Sequence, residues 1–331
     1  MKTSALSSAA PNPTPAWRRA LVYGVTLAFL AWCISAFSHD IAQIDVHPLK
    51  AGWLAVLAAG LLSLGNYVLR IVRWQMYLRR LGHDLPGRFV SLTFMAGFAF
   101  TLSPGKLGEM VRARYYQPLG VPLSQVSGAF FVERLLDLLA MILLAVLVLA
   151  DLQAYQAFLW VAVGLVVGLL AGVAVVPWQR VVAGLQSRQQ VPGASALWQA
   201  MAGVANMFAS AQTFLSPGLL TSGLAIGLVA WGAEAYGLKL VADAVMPGQL
   251  TVAGAMACYA IAIIVGALSF LPGGLGSTEA VMAGLLVAHG FAKPQAILLT
   301  LVCRLLTLWL AVLIGWLSVW RLKFEPHPTR H

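Results

Sequence analysis

"LSPGKLGEMVR" at residues 102–112 and "LPGGLGSTEAV" at residues 271–281 are the two stretches on which the fold turns. Each sits inside a long apolar run and breaks it with Pro-Gly. Such a break ends a helix and frees backbone N–H and C=O groups, which persist inside a membrane only where protein or cavity water satisfies them. The first stretch then adds Lys106, Glu109 and Arg112, with Arg114 close behind, and the second adds Glu279. Pro104, Gly105, Leu107 and Gly108 match Pro272, Gly273, Leu275 and Gly276, and the second motif carries a further glycine at Gly274.

The match continues on both sides. "FVERLLDLLAMILLAV" at 131–146 is similar to "LVCRLLTLWLAVLIGW" at 301–316, pairing Arg134 with Arg304, and Asn66 precedes Pro104 by the interval that separates Glu234 from Pro272. The chain therefore reads as two copies of one unit, about 51–150 and 217–320. Each has a helix with a buried polar residue, a Pro-Gly-broken segment, and a helix carrying Arg-Leu-Leu.

Composition supplies the solvent. The 331 residues are 60% hydrophobic and 10% charged, with a mean hydropathy of +0.84, which places the chain among membrane proteins. A helix needs about 20 apolar residues to cross about 30 Å of hydrocarbon. On that measure spans are predicted at about 18–38, 51–73, 123–150, 157–177, 217–242 and 295–320. The stretches 88–117 and 248–291 are read as re-entrant. The expected fold is an all-α polytopic integral membrane protein, with about six spanning helices and two Pro-Gly-broken re-entrant segments in an inverted repeat.

The net charge of +10 reads as topology, since no basic-aromatic module for nucleic acid is present. With the N-terminus cytoplasmic, Arg18, Arg19, Arg70, Arg73, Arg79, Arg80, Arg88, Arg180, Arg188, Arg321 and Lys323 fall inside, while Asp40, Asp45, Asp151 and Asp243 fall outside. Residues 1–17 read as a disordered cytoplasmic tail and 325–331 as a short second one, flanking one transmembrane domain at 18–324. The first apolar segment is too long for a signal-peptide core and is read as a retained helix. The linker at about 178–214 places Leu197, Met201, Val204 and Phe208 at helical spacing, which fits an interfacial amphipathic helix or one packed on the bundle.

An ionised side chain at the bilayer centre costs on the order of 3 kcal/mol, so the charges within the repeat need partners or a purpose. Glu133, Arg134 and Asp137 share one helix, where Arg134 and Asp137 can pair. Glu109, Glu234 and Glu279 are expected to face Arg134 and Arg304 across a central cavity. A half-helix starting near Gly105 or Gly273, with Lys106, Arg112, Arg114, Arg134 and Arg304 nearby, suits an anionic headgroup. No glycosyltransferase Asp-x-Asp, zincin, Gly-x-Ser-x-Gly or P-loop signature occurs. Cys33, Cys258 and Cys303 lack metal-type spacing, the histidines are scattered, and nothing points to a cofactor or a metal.

"FTLSPGKLGEMVRARYY", "FFVERLLDLLAMI" and "LSFLPGGLGSTEAVMAGLL" together resemble the flippase-like family, also called the lysylphosphatidylglycerol synthase transmembrane-region family. The resemblance implies a bacterial inner-membrane protein, with both termini cytoplasmic, that moves a polar lipid between leaflets. Its substrate would be an anionic or amino-modified phospholipid or a glycolipid. By motif, the resemblance points to Pro104, Gly105, Gly108, Glu109 and Arg112, to Glu133 and Arg134, and to Pro272, Gly273, Gly274, Gly276 and Glu279. The chain has no room for the aminoacyltransferase domain of the two-part synthases, so it is expected not to be an enzyme. The alternatives are a membrane-embedded enzyme of a lipid-linked sugar pathway and a scaffold for a lipid-synthesis complex. A homo-oligomer or a lipid-synthesis enzyme is the partner to consider beside the lipid headgroup.

Overall fold

A computed structural model describes residues 47–149, 153–189 and 196–325, and every described element is helical. The predicted first span and both termini lie outside the described residues. After a short turn at His47–Ala51, the first unit consists of α1 (Trp53–Arg80), α2 (Gly87–Phe98), a 3-10 run at Pro104–Val111 leading into α3 (Arg112–Tyr116), and α4 (Leu123–Leu149). A hairpin follows: α5 (Gln153–Val175), α6 (Trp178–Gln189) and α7 (Ala196–Ala211). The second unit repeats the first, with α8 (Pro217–Val245), α9 (Val252–Leu268), a 3-10 turn at Pro272–Gly274, α10 (Ser277–Ala288) and α11 (Lys293–Leu322).

Local chemistry sets these boundaries. α1 carries Arg79 and Arg80 in its last turn, where they complement the carbonyl end of the helix, and Gly82 then takes φ 84°. Pro217 opens α8, and the Thr251 side chain accepts from the Gly254 N–H at 3.0 Å to cap α9. The two breaks differ for a visible reason. In the second, Gly273, Gly274 and Gly276 all take positive φ and turn the chain tightly into α10. In the first, Lys106 stands where the second has Gly274. A lysine there disfavours that left-handed backbone, and the chain runs instead through eight residues of 3-10 helix. Gly108 is needed for another reason: a Cβ there would run into the Phe100 carbonyl.

Among the described residues, three helices, α1, α8 and α11, are long and apolar enough to cross a membrane, or four if α5 and α6, bent by 64°, form one broken span. α4 has the length, but Glu133, Arg134 and Asp137 interrupt its apolar run. α2 and α10 have 12 residues each, about 18 Å at 1.5 Å per residue, too short to cross alone. The stretches at 88–117 and 248–291 are thus each a helix, a break and a second helix, as the Pro-Gly motifs implied. α1 extends to Arg80 rather than stopping near residue 73, which carries Arg70 and Arg73 into the helix body and away from its end. α7 packs on α4 where Met207, Ser210 and Ala211 approach Gly128 and Phe208 meets Phe131, and on α6 through Ala205 and Ala209, while Leu197, Met201 and Val204 are exposed; the second half of the linker is thus a helix packed on the bundle with one face open.

The copies exchange partners. α1 packs on its counterpart α8, α2 packs on the C-terminal part of α11, and α9 packs on α4; these are the most extensive helix pairings. Reciprocal exchange of this kind is what a two-fold relation between units produces. Along α1, Ala59 meets Gly237, Asn66 donates to the Ala230 carbonyl and Arg73 donates to the Gly223 carbonyl. Residue numbers rise on one helix as they fall on the other, so the two equivalent helices run antiparallel. The repeat is inverted. A Cβ built on Gly237 would lie 3.3 Å from that of Ala59, close to disulfide range. In a background lacking the native cysteines, Ala59→Cys with Gly237→Cys should oxidise to a shifted band on a non-reducing gel. Ala59→Cys with Gly223→Cys should not, and a cross-link in that second pair would mean parallel copies.

Candidate functional site

The site begins with one stripe of α1. Asn66, Arg70, Arg73 and Tyr77 recur at helical spacing and all are buried. Beyond them stand Glu133, Arg134 and Asp137 of α4, Arg112 at the start of α3 and Glu109 in the 3-10 run. Arg73, fully buried, reaches Asp137 at 2.6 Å and Glu133 at 3.3 Å. Arg112 donates to the other Glu133 oxygen at 2.9 Å, with its guanidinium 3.8 Å over the Trp74 ring. Arg134 lies 3.0 Å from Glu133, 3.2 Å from Asp137 and 3.8 Å from Glu109. Glu109 also accepts from the Thr101 hydroxyl at 2.7 Å.

The second unit holds its charge differently. Arg304 donates to Glu279 at 2.6 Å and to the Gly273 carbonyl at 2.7 Å, a backbone group freed by the break. The other Glu279 oxygen accepts the Gly276 N–H at 2.6 Å, so one carboxylate caps α10 and fixes the arginine. Glu234 accepts from the Tyr259 hydroxyl. Just past Arg304, α11 opens into a π turn at Leu305–Trp309, whose Thr307 carbonyl accepts from Tyr67 of α1 at 2.7 Å.

Between the two sets lies a cavity of about 40 Å³, lined by Arg70, Thr101 and Glu109 of the first unit and by Glu234, Tyr259 and Arg304 of the second. At about 10–15 Å³ per water it has room for about three.

Of the residues expected from sequence, Glu109, Glu234 and Arg304 line this cavity. Glu133, Arg134, Asp137 and Arg112 form the ion-pair network described above and are not among the lining residues, and Glu279 pairs with Arg304. Arg114 is exposed and does not line the cavity. The Lys106 side chain lies outside the described residues. Glu234 faces the same cavity as Arg304 and accepts from Tyr259, a partner the sequence did not indicate, and the arginines that complete the network, Arg70 and Arg73, were assigned by sequence to the cytoplasmic face. Their spacing held the signal: Arg70 and Arg73 fall on the stripe of Asn66 and Tyr77, whereas Arg79 and Arg80 close the helix.

Residues 18–315 match the family model described as the lysylphosphatidylglycerol synthase TM region. The chain is 27% identical over 289 residues to a UPF0104 membrane protein of Methanothermobacter thermautotrophicus, covering 80% of this chain and 82% of that one. It is 29% identical over 100 residues to a UPF0104 membrane protein of Pyrococcus horikoshii, covering 30% of each.

Removing one member of a buried ion pair strands its partner and costs about 3–5 kcal/mol. Arg73→Met should therefore sharply lower the fraction of detergent-solubilised protein that survives heating, read by size exclusion. Adding Asp137→Leu should recover at least half of that loss, because the stranded charge goes with it.

Proposed function

The chain belongs to the lysylphosphatidylglycerol synthase transmembrane-region family, and from that premise we propose that it carries a polar lipid between the leaflets of a bacterial inner membrane, with both termini cytoplasmic. The substrate is an anionic or amino-modified phospholipid or a glycolipid, and the protein acts as a transporter rather than an enzyme. The observation that carries this reading is the cavity between two oppositely running units, lined by charged side chains from both.

The physics favours movement over anchoring. A headgroup crossing the membrane needs polar surroundings at mid-depth, and inverted units with broken helices can present one site to each side in turn. Here the broken ends meet: Pro104–Val111 packs against Pro272–Gly274 beside the cavity. The cavity is too small for a whole headgroup, so passage requires it to widen. Opening to either side requires the units to part on that side. Arg304, held by Glu279 and the Gly273 carbonyl at the second break, couples the headgroup site to the helix end that would move.

The test is translocation by purified protein in vesicles containing fluorescently labelled phosphatidylglycerol, read by dithionite quenching. Wild-type protein should make inner-leaflet label accessible. Arg304→Gln, checked for folding by size exclusion, should slow this at least tenfold, while Arg79→Gln, at an exposed pair with Asp84, should not. Translocation unchanged in folded Arg304→Gln would remove the role of that residue. Absence of wild-type translocation together with a new lipid product would make the protein an enzyme.

A further inference from the structure

Among the described residues of the first unit, four arginines, Arg70, Arg73, Arg112 and Arg134, share three carboxylates, Glu109, Glu133 and Asp137. Arg73 and Arg112 hydrogen-bond a carboxylate at 2.6 and 2.9 Å, and Arg134 stands 3.0 Å from Glu133 although its Nε and Nη2 make no hydrogen bond. Arg70 has neither a hydrogen-bonded carboxylate nor one as close. It stands 3.6 Å from Glu133 and 3.9 Å from Glu109, which are too long for hydrogen bonds. Its Nε and Nη2 have no hydrogen-bond partner, although the residue is only 4% exposed.

A guanidinium offers five donors in a fixed plane, and leaving them unfilled in a buried site is costly. The plane of Arg70 is held by aromatic rings: its central carbon lies 5.3 Å from the Phe98 ring, 5.3 Å from Trp231 and 5.7 Å from Phe94. That packing fixes the fork beside the cavity it lines. The chemistry that completes an immobilised, half-used guanidinium is a planar or tetrahedral oxyanion, and phosphate oxygens match its spacing.

We propose that Arg70 is the anion-binding group of the cavity, donating to the oxygens of a phosphate-type group, with Arg304 adding its charge from the second unit. Glu109 and Glu234 in the same wall suit a phosphodiester whose substituent carries a hydroxyl or an amine. The volume admits the compact phosphate end of a ligand and excludes an acyl chain. The transport reading enters only in naming a lipid headgroup as one source of that phosphate; free phosphate is the other.

Binding is measured apart from transport, on the full chain in phosphatidylcholine nanodiscs. The readout is the rise in thermal stability with added ligand, which follows the affinity of the folded state. Dihexanoyl-phosphatidylglycerol should stabilise the wild type saturably. The apparent Kd should weaken at least tenfold in Arg70→Gln, recover in part in Arg70→Lys, and stay unchanged in Arg79→Gln. Competition by inorganic phosphate would assign the site to the free oxyanion as well, and lack of competition would assign it to the lipid phosphodiester. A folded Arg70→Gln variant with wild-type affinity overturns the proposal. Should that variant fail to fold, Ile263→Phe narrows the cavity without changing any charge; at least fivefold weaker binding supports the site and unchanged binding overturns it. Intact Arg70-dependent binding without translocation would sink the transport reading and leave this site standing.

Discussion

A charge inside a hydrocarbon-thick fold must be paired, and the first unit is organised around that requirement at Glu133. Its two oxygens lie within 4 Å of Arg70, Arg73, Arg112 and Arg134, which come from α1, α3 and α4. Three helices are thereby fixed in register, because a slip of any one would strand a buried ion at a cost of several kcal/mol. The aromatic rings around the cluster follow from the same constraint. Trp74, Phe94 and Phe130 lie against the guanidinium faces, where water would otherwise solvate them.

The second unit meets the requirement with far less charge. One carboxylate, Glu279, serves both the backbone at Gly276 and the side chain of Arg304, and a carbonyl exposed by the glycine turn takes another donor. The backbone symmetry of the two units is therefore not matched by their electrostatics. Under the transport reading, parting the first unit's contacts would disturb a ring of paired ions, whereas parting the second's would disturb a single arginine and a helix cap.

Much of this was legible in the sequence because the features that announce it are local. The Pro-Gly motifs, the Arg-Leu-Leu runs and the Asn66/Glu234 interval gave the repeat, and the inversion then appeared as antiparallel contact between α1 and α8. What the sequence concealed depends on context. Arg70 and Arg73 lie within ten residues of Arg79 and Arg80, and a positive-inside count treats all four alike. The helical spacing of Arg70 and Arg73 with Asn66 and Tyr77 separates the buried from the terminal arginines once α1 is seen to continue to Arg80. The partner of Glu234 was hidden likewise, since no spacing links it to Tyr259; the packing of α8 against α9 brings the two together.

The exchange of partners between the units creates a mechanical difficulty that α11 resolves. Its N-terminal part packs on α10 and α8 within its own unit, while Leu310–Leu322 packs on α2 of the other. A straight helix fastened at both ends would resist any relative movement of the units. Between the two parts lies the π turn at Leu305–Trp309, where one extra residue per turn weakens the regular hydrogen-bond ladder and allows bending. The turn begins immediately after Arg304 and is tied to α1 through the Tyr67–Thr307 hydrogen bond. The most deformable point of the shared helix thus coincides with the cavity wall. A change in what the cavity holds and a change in how the units meet would act on the same few residues.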